Sequence, residues 1–400
     1  MSAPSQPATT PSGEPLPAGL TPLDFQPRTR VVFGPGVFAR LGALARELGG
    51  TRVLLVSDPG LRSVGHLDRA VQLLREAQLE VACFDDVHEN PTTVDVDRAV
   101  TVAREARCDL MIGLGGGSSL DCAKGASFLL SNGGRMEDYW GYAKATRPLL
   151  PVLAVPTTSG TGSEAQSYAI IAHAETHNKM ACGDPGAAPR VALLDPELTL
   201  TLPRSVTAVT GIDAISHAVE SFVSTRRTPL STVFAEQAAR LLVAAFPQVL
   251  AQPRDTAARG DMLWGAHLAG MAIENSMLGA AHACANPLSA LCGLTHGIAV
   301  GVMLPHVVRY NQAAVPALYA PLMQTLGFDR PEAADAGDRL AQRLTGLLEQ
   351  GALPTRLSAC GVTADLIPQL ATQATQQWTG KFNPRPLTQA DFQLLYERAL

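Results

Sequence analysis

Four side chains in the second half of the sequence have the types and spacing of metal ligands. Asp213 and His217 lie four residues apart in the stretch GIDAISHAVE, so on a helix they share one face. His282 and His296 lie fourteen residues apart in AHACANPLSALCGLTHG, which proline and glycine interrupt. One carboxylate and three imidazoles form a suitable ligand set for divalent iron, zinc, nickel or cobalt. The alternative is a helix-surface pair and two structural histidines.

A glycine triplet follows an apolar segment in the first half of the chain. In DLMIGLGGGSSLDCAK, Gly115, Gly116 and Gly117 allow backbone N–H groups to approach an anion closely. A helix starting near Ser118 would direct the positive end of its dipole to the same place. This arrangement favours a pyrophosphate site over a strand–helix turn without a ligand. It is neither a P-loop, because no Gly-Lys-Ser/Thr follows, nor the usual Rossmann fingerprint.

Polar residues follow two other apolar segments. Asp58 ends VLLVSD and could accept hydrogen bonds from an adenosine ribose, and its charge would repel the 2′-phosphate of NADP. The alternative is a simple Asp-Pro-Gly turn. Thr157, Thr158 and Thr161 follow VLAVP, at the strand end where open α/β sheets bind ligands. An ordinary Ser/Thr-rich loop is the alternative there, but this loop and the glycine-rich loop, each after a predicted strand, together favour a nucleotide crevice.

The elements that must position these residues alternate from about Arg30 to Asp195. Residues 67–78 and 94–106 predict helices between apolar segments. The predicted strands are RVVF, VLLV, VACF, DLMIGLG, VLAVP, YAIIA and VALLD. The alternation predicts an α/β fold with a mostly parallel sheet.

From about Pro203 the alternation stops. Long segments rich in Ala, Leu, Gln and Glu predict an all-helical second half, with breaks at GAAHACANPLSALCG and near QWTGKFNPRP. The predicted domains are an α/β domain at residues 23–200 and a helical domain at residues 201–400. Residues 1–22 are rich in Pro, Ser, Thr and Ala, which predicts a disordered tail.

Composition limits the class of protein. Of 400 residues, 46% are hydrophobic and 17% charged, with a net charge of −5 and no long Lys/Arg run, which argues against nucleic acid or an anionic membrane as partner. Seven cysteines without a Cys-x-x-Cys pair favour a reduced, cytoplasmic protein. No apolar run approaches the roughly 18 to 20 residues of a membrane span, and no signal peptide is recognisable.

Several segments together resemble the iron-containing alcohol dehydrogenase family, from about Phe25 to the C-terminus. They are GGGSSLDCAK, PTTSGTGSE, GIDAISHAVE, and AHACANPLSALCGLTHG followed by LPHVVRYN. The resemblance implies a Rossmann-like NAD-binding domain, a helical metal-binding domain and a fold like that of dehydroquinate synthase. It implies hydride transfer between a small alcohol and NAD(H), with the metal as Lewis acid. Family members are often dimeric or larger, so a homo-oligomer is expected.

The resemblance also assigns roles to individual residues. The implied metal ligands are Asp213, His217, His282 and His296. The implied cofactor-binding residues are Asp58, Asn90, Gly115, Gly116, Gly117, Ser118, Ser119, Thr157, Thr158, Thr161 and Lys179. Iron(II) is the expected metal with zinc as the alternative, and NAD is the expected cofactor with NADP as the alternative.

One position departs from the family pattern. Many members carry a second histidine four residues after the third ligand, where this chain has Asn286. An amide forms hydrogen bonds but does not titrate near neutral pH, so no catalytic residue is assigned beyond the metal site. The alternatives are a dehydroquinate-synthase-like lyase, a glycerol-dehydrogenase-like zinc enzyme, a metal-free maleylacetate-reductase-like enzyme and a non-catalytic nucleotide-binding protein.

Overall fold

The computed structural model describes residues 23–176, 178–328 and 332–400. The tail predicted at residues 1–22 lies outside these ranges. Two compact units are present. The sheet unit comprises residues 27–214 and 244–270, and the helical unit comprises residues 215–243 and 271–400 together with residues 23–26. The functional division at residue 200 stays a prediction.

Nine strands and fourteen α-helices make up the described chain. The strands are β1 (Arg30–Phe33), β2 (Arg52–Val56), β3 (Glu80–Phe84), β4 (Leu110–Gly115), β5 (Gly141–Tyr142), β6 (Val152–Pro156), β7 (Tyr168–Ala172), β8 (Lys179–Gly183) and β9 (Val191–Leu194). The first eight helices are α1 (Leu41–Glu47), α2 (Pro59–Ser63), α3 (His66–Glu76), α4 (Thr93–Glu105), α5 (Gly117–Asn132), α6 (Arg204–Val223), α7 (Pro229–Ala251) and α8 (Thr256–Glu274). The others are α9 (Ala280–Cys292), α10 (His296–Asn311), α11 (Pro316–Thr325), α12 (Ala336–Gln350), α13 (Ile367–Ala374) and α14 (Gln389–Ala399).

The main sheet has six strands in the order β1-β9-β6-β4-β2-β3, and every pair is parallel. Side chains alternate across β2, so Val53 and Leu55 belong to one apolar cluster and Leu54 and Val56 to another. Residues of α1 and α3 complete the first cluster, and residues of α4 and α5 complete the second. The predicted α/β fold with a mostly parallel sheet is therefore confirmed.

A second, three-stranded sheet has the order β5-β8-β7. The predicted strand YAIIA is β7, and it pairs antiparallel with β8. The sequence analysis missed β8, because KMACG is short, begins with a lysine and ends with a glycine. It also missed β5, which has only two residues. Lys179 thus begins a strand rather than lying in a loop.

The chain from α6 onward is helical, as predicted. The predicted break near QWTGKFNPRP is confirmed, because α13 ends at Ala374 and α14 begins at Gln389. The break predicted at GAAHACANPLSALCG occurs at the two ends of this segment, at Gly279 and Gly293, and not at its proline, because α9 runs through Pro287. A proline inside a helix removes one backbone hydrogen bond. The buried small residues around Pro287 keep the helix packed, since Cys284 and Leu288 are both 0% exposed.

Helix α7 corrects the expectation that no apolar segment approaches the length of a membrane span. It is long and apolar enough to cross a membrane by length and composition, with a mean hydropathy of 1.2 over an 18-residue window. Half of that window is buried inside the structure, as in the core helix of a globular protein. Its polar residues include Glu236, which accepts a hydrogen bond from Thr325 at 2.7 Å. A single helix of this kind is weak evidence for a membrane span.

Candidate functional site

Helix α6 positions the first two predicted ligands. The stretch around them consists of small and apolar residues, and Gly211 lies so close to Phe246 that an added Cβ would come within 2.7 Å of its ring. Asp213 and His217 are each only 5% exposed. A buried carboxylate is costly unless a positive or hydrogen-bonding partner compensates it. Its burial beside an imidazole therefore favours a functional site over a helix-surface pair.

Helix α9 brings the third predicted ligand to the same place. One potential ligand atom from each of Asp213, His217 and His282 lies within 4.8 Å of the other two. Within the residues that the structure describes, this is the one group of three or more His, Cys, Asp or Glu side chains with that geometry. Residues 69 positions apart in the chain have thus converged on one point.

The fourth predicted ligand lies next to this group. The rings of His217 and His282 are stacked, with centroids 4.8 Å apart and an interplanar angle of 22°. His296, the first residue of α10, has its ring centroid 5.3 Å from that of His282. The structure therefore brings three predicted ligands within 4.8 Å of one another and places the His296 ring beside the third.

The chemistry of these donors fits a divalent transition metal. Imidazole nitrogens and a carboxylate oxygen bind Fe²⁺ and Zn²⁺, and neither metal requires a thiolate. Cys284 is two residues from His282 but does not change this set. Burial raises the pKa of its thiol far above the ordinary value, and Cys284 is not part of the cluster.

The glycine triplet forms a tight turn between β4 and α5. Gly115 has φ of +151°, and a Cβ there would lie 2.5 Å from Oγ of Ser119. A Cβ on Gly117 would lie 2.6 Å from Cγ2 of Thr161. Only glycine fits at these two positions. The helix begins at Gly117, one residue before the predicted start.

The two predicted polar loops contact each other. Thr161 packs against Gly117, and an added Cβ on Gly116 would lie 3.5 Å from Cγ2 of Thr158. The N–H of Thr157 donates to the carbonyl of Gly115 at 2.9 Å. The side chains of Thr158 and Thr161, which follow β6, therefore lie beside the N-terminus of α5, a place that favours an anionic group.

Asp58 and Asn90 border the same turn. Oδ2 of Asp58 is 3.1 Å from the Cβ position that Gly115 leaves empty, and its Oδ1 accepts from the N–H groups of Gly60 and Leu61. Asp58 therefore forms the Asp-Pro-Gly turn of the alternative interpretation and also lies beside the glycine loop. Asn90 adopts φ of +55°, and its N–H donates to Oγ of Ser118 at 3.3 Å.

Lys179 has a different environment. Burial lowers the pKa of its ammonium group, and the carboxylates of Asp213 and Asp121 oppose that shift. The ammonium group of Lys179 therefore interacts electrostatically with the carboxylate of the predicted ligand Asp213. The structure gives Lys179 no contact that assigns it to a nucleotide, so its predicted role stays a prediction.

The sequence analysis missed a buried lysine that joins the two loops. Lys124, on α5, is 0% exposed. Its Nζ donates to the carbonyl of Ser163 at 2.6 Å, to Oγ of Ser163 at 2.7 Å and to the carbonyl of Tyr168 at 2.8 Å. These bonds tie the helix after the glycine turn to the chain after β6. The only signal in the sequence is a lysine inside a helix of mostly small and apolar residues.

Two buried glutamates contact histidines, and neither glutamate had been singled out. Oε2 of Glu220 contacts Nδ1 of His282. Oε1 of Glu164 lies 3.1 Å from Nδ1 of His267, whose ring stacks on Trp264. His267 thus lies in the core, where it is 1% exposed.

Asn286 follows His282 by one helical turn on α9. It is partly buried, and its Nδ2 donates to Oε1 of Gln377 at 2.9 Å. The amide is therefore fixed by a second amide. This pair contains no titratable proton.

Comparison with known proteins identifies the family. Residues 27–196 match the model for iron-containing alcohol dehydrogenase, and residues 207–400 match the model for the C-terminal part of the Fe-containing alcohol dehydrogenase family. The chain is 35% identical to 1,3-propanediol dehydrogenase of Klebsiella pneumoniae over 371 residues, which are 92% of this chain and 96% of that protein. It is 34% identical to the NAD-dependent methanol dehydrogenase of Bacillus methanolicus, over 92% of this chain and 97% of that protein.

Solved structures agree. The crystal structure of a 1,3-propanediol oxidoreductase aligns with a TM-score of 0.91 and 35% identity, covering 94% of this chain and 98% of that one. These matches confirm the predicted family and fold, and they do not favour the lyase or the non-catalytic alternative. The chain therefore belongs to the iron-containing alcohol dehydrogenase family and is a nicotinamide-dependent alcohol dehydrogenase.

Proposed function

We propose that this enzyme interconverts small primary alcohols and aldehydes with NAD(H) as cofactor and iron(II) as its metal. The observation that carries the proposal is the convergence of Asp213, His217 and His282, whose ligand atoms lie within 4.8 Å of one another. His296 is proposed as the fourth ligand because its ring adjoins that of His282. Four ligands of nitrogen and oxygen type favour iron or zinc, and membership of an iron-containing family favours iron.

The bound groups would supply the chemistry that the side chains lack. A divalent metal polarises an alcohol or carbonyl oxygen, and a nicotinamide accepts or donates the hydride. The chain's own residues bind and orient these groups. The proposed hydride transfer needs no side chain as a covalent nucleophile. A substitution that leaves the metal site and the cofactor site intact should therefore leave turnover measurable.

The dinucleotide is proposed to lie along the loops after β4 and β6. Gly115, Gly116, Gly117, Ser118 and Ser119 would bind its pyrophosphate at the N-terminus of α5. Thr157, Thr158, Thr161, Asn90 and Lys179 would line the remaining cofactor site. Support for these roles comes from the close packing of Thr161 on Gly117 and of Ser118 beside Asn90. An uncapped helix N-terminus favours an anionic group.

NAD is proposed over NADP because of Asp58. Its carboxylate borders the glycine turn, and like charges would disfavour a 2′-phosphate in contact with it. The relative from Bacillus methanolicus is named as NAD-dependent. By analogy with that relative and the propanediol dehydrogenase, short unbranched alcohols and diols are the proposed substrates.

Cytoplasmic localisation and a homo-oligomeric state complete the proposal. All seven cysteines are free thiols, which favours a reducing compartment. Light scattering on the purified protein would report the mass of the assembly. A mass equal to one chain at all concentrations would reject the oligomer.

The direct test of the function is a substrate panel. Protein reconstituted anaerobically with Fe²⁺ or Zn²⁺ would be incubated with NAD or NADP and methanol, ethanol, 1-butanol or 1,3-propanediol. We expect reduced nicotinamide to accumulate with NAD, and not with His217→Ala protein treated in the same way. Metal-loaded protein that reduces neither cofactor with any of these alcohols would reject the proposed substrate class.

A further inference from the structure

Glu220 lies on the same face of α6 as two of the proposed ligands. It follows Asp213 by seven residues and His217 by three, a spacing that keeps all three side chains on one stripe of the helix. Glu220 is only 3% exposed. A buried carboxylate at this place requires partners that compensate for the lost water.

Both carboxylate oxygens of Glu220 contact the first turn of α9. Oε2 contacts Nδ1 of His282, and Oε1 accepts a hydrogen bond from the N–H of Ala281 at 2.6 Å. The positive end of the helix dipole adds a further favourable interaction with the carboxylate. The single side chain of Glu220 therefore accepts a hydrogen bond from an N–H group at the N-terminus of α9 and also contacts the ring of His282.

Gly279 and Asn383 lie beside this carboxylate at the start of α9. A Cβ on Gly279 would lie 3.0 Å from Oε1 of Glu220 and 3.2 Å from Oδ1 of Asn383. Oδ1 of Asn383 accepts from the N–H of Ala280 at 3.3 Å, and Nδ2 of Asn311 donates to the same oxygen at 2.9 Å. The first N–H groups of α9 therefore donate to two polar side chains, Asn383 and Glu220, and only Glu220 carries a charge.

We propose that Glu220 is a positioning residue of the metal centre, which acts through His282. If Nδ1 of His282 donates its proton to the carboxylate, the lone pair of the ring lies on Nε2, so Nε2 is the atom available to a metal. Such carboxylate–histidine pairs fix the tautomer and the orientation of metal ligands. The inference rests on the proposed function, since it requires that His282 is a ligand. No direct ligand role is assigned to Glu220, because both of its carboxylate oxygens already contact the first turn of α9.

Glu220→Gln tests this role while preserving the size of the side chain. An amide has one acceptor oxygen, so it can accept from Ala281 or from His282, and not from both in the present arrangement. We expect the dissociation constant for Co²⁺, measured by equilibrium dialysis, to rise about 10- to 100-fold. The visible absorption spectrum of the Co²⁺ protein should also change, because the orientation of one ligand changes.

Glu164→Gln is the matched control, since it alters the other buried Glu–His pair and leaves His282 untouched. We expect its Co²⁺ dissociation constant and spectrum to equal those of the unsubstituted protein, even if its Tm falls. An equal loss of Co²⁺ affinity in both variants would overturn the inference, because the effect would then be one of general stability. If Glu220→Gln protein does not fold, Glu220→Asp replaces it, and normal Co²⁺ binding by that shorter carboxylate would overturn the inference.

His217→Ala distinguishes failure of this inference from failure of the proposed function. Loss of Co²⁺ in His217→Ala with normal binding in Glu220→Gln would reject the role of Glu220 alone, and Glu220 would then be only the cap of α9. Normal Co²⁺ binding in both variants would reject the proposed metal centre itself.

Discussion

Two buried Glu–His pairs lie in the two units of this molecule, and only one belongs to the candidate metal centre. Glu220 and His282 form the pair of the helical unit, with side chains that are 3% and 4% exposed. Glu164 and His267 form the pair of the sheet unit, with side chains that are 3% and 1% exposed. In both pairs a carboxylate oxygen contacts Nδ1 of the ring.

The difference lies on the other side of each ring. His282 has the rings of His217 and His296 beside it and belongs to the cluster with Asp213. The ring of His267 stacks on Trp264 instead, with centroids 5.4 Å apart. A buried histidine held by a glutamate is therefore not a metal ligand by itself. His282 is proposed as a ligand because further donors converge beside its ring.

The largest expected effect is on metal binding after loss of His282. His282→Ala should raise the dissociation constant for Zn²⁺ or Co²⁺ by more than about 100-fold, above the loss typical of a change outside the ligands. His267→Ala should leave that constant unchanged. Metal content after dialysis, measured by mass spectrometry, compares the two variants. Equal metal loss in both would remove the distinction between the two pairs.

The second expected effect is on the stability of the metal-free protein. His267→Ala leaves the carboxylate of Glu164 buried without its imidazole partner, and a buried polar group left without its hydrogen-bond partner costs about 1–3 kcal/mol, more for a charged group. Urea unfolding of the metal-free protein should show this loss in the free energy of unfolding. A change below about 1 kcal/mol, the range of exposed pairs, would contradict the assignment of a tight structural pair.

Sequence patterns predicted much of the fold because the dominant signals are local. Seven apolar segments became strands, and the change to helices after Pro203 was correct. The break predicted at GAAHACANPLSALCG lies at the ends of the segment and not at Pro287, because the rule that proline ends a helix ignores the packing that holds α9. Strand β8 was missed because its side chains match no simple periodicity.

The predicted site was incomplete for another reason. Ligand spacing and the glycine triplet pointed to His282 and to the turn after β4, but Glu220 and Lys124 resemble ordinary helix residues. Their partners lie 62 and 39 residues away in the sequence. Only the folded chain joins such residues, so their roles could not be derived from local pattern.

A third substitution tests whether Asp58 determines the preference for NAD over NADP. The same substitution should not affect metal binding. Asp58→Asn removes the charge and keeps an acceptor for the N–H groups of Gly60 and Leu61, so α2 stays capped. We expect the NAD-to-NADP ratio of kcat/KM to fall about 10-fold, because the repulsion of a 2′-phosphate is relieved. Metal content should not change. An unchanged cofactor ratio would reject the role of Asp58.

The smallest expected effect concerns Asn286. Asn286→His introduces a group with a pKa of about 6.5 one turn after His282, where the unsubstituted chain has an amide bonded to Gln377. The pH profile of kcat/KM should gain an ionisation near that pH, while the maximal value changes less than about 10-fold. Asn286→Ala is the control, since it removes the amide without adding an imidazole. Identical pH profiles for the His and Ala variants would exclude a proton-transfer position there.

Anomalous diffraction at the iron edge, from crystals of protein reconstituted with Fe²⁺, tests the central claim most directly. The account predicts one strong peak per chain, within about 2.0–2.2 Å of His and Asp ligand atoms from Asp213, His217, His282 and His296. A peak bound elsewhere, or iron-loaded crystals with these four side chains free of metal, would contradict it.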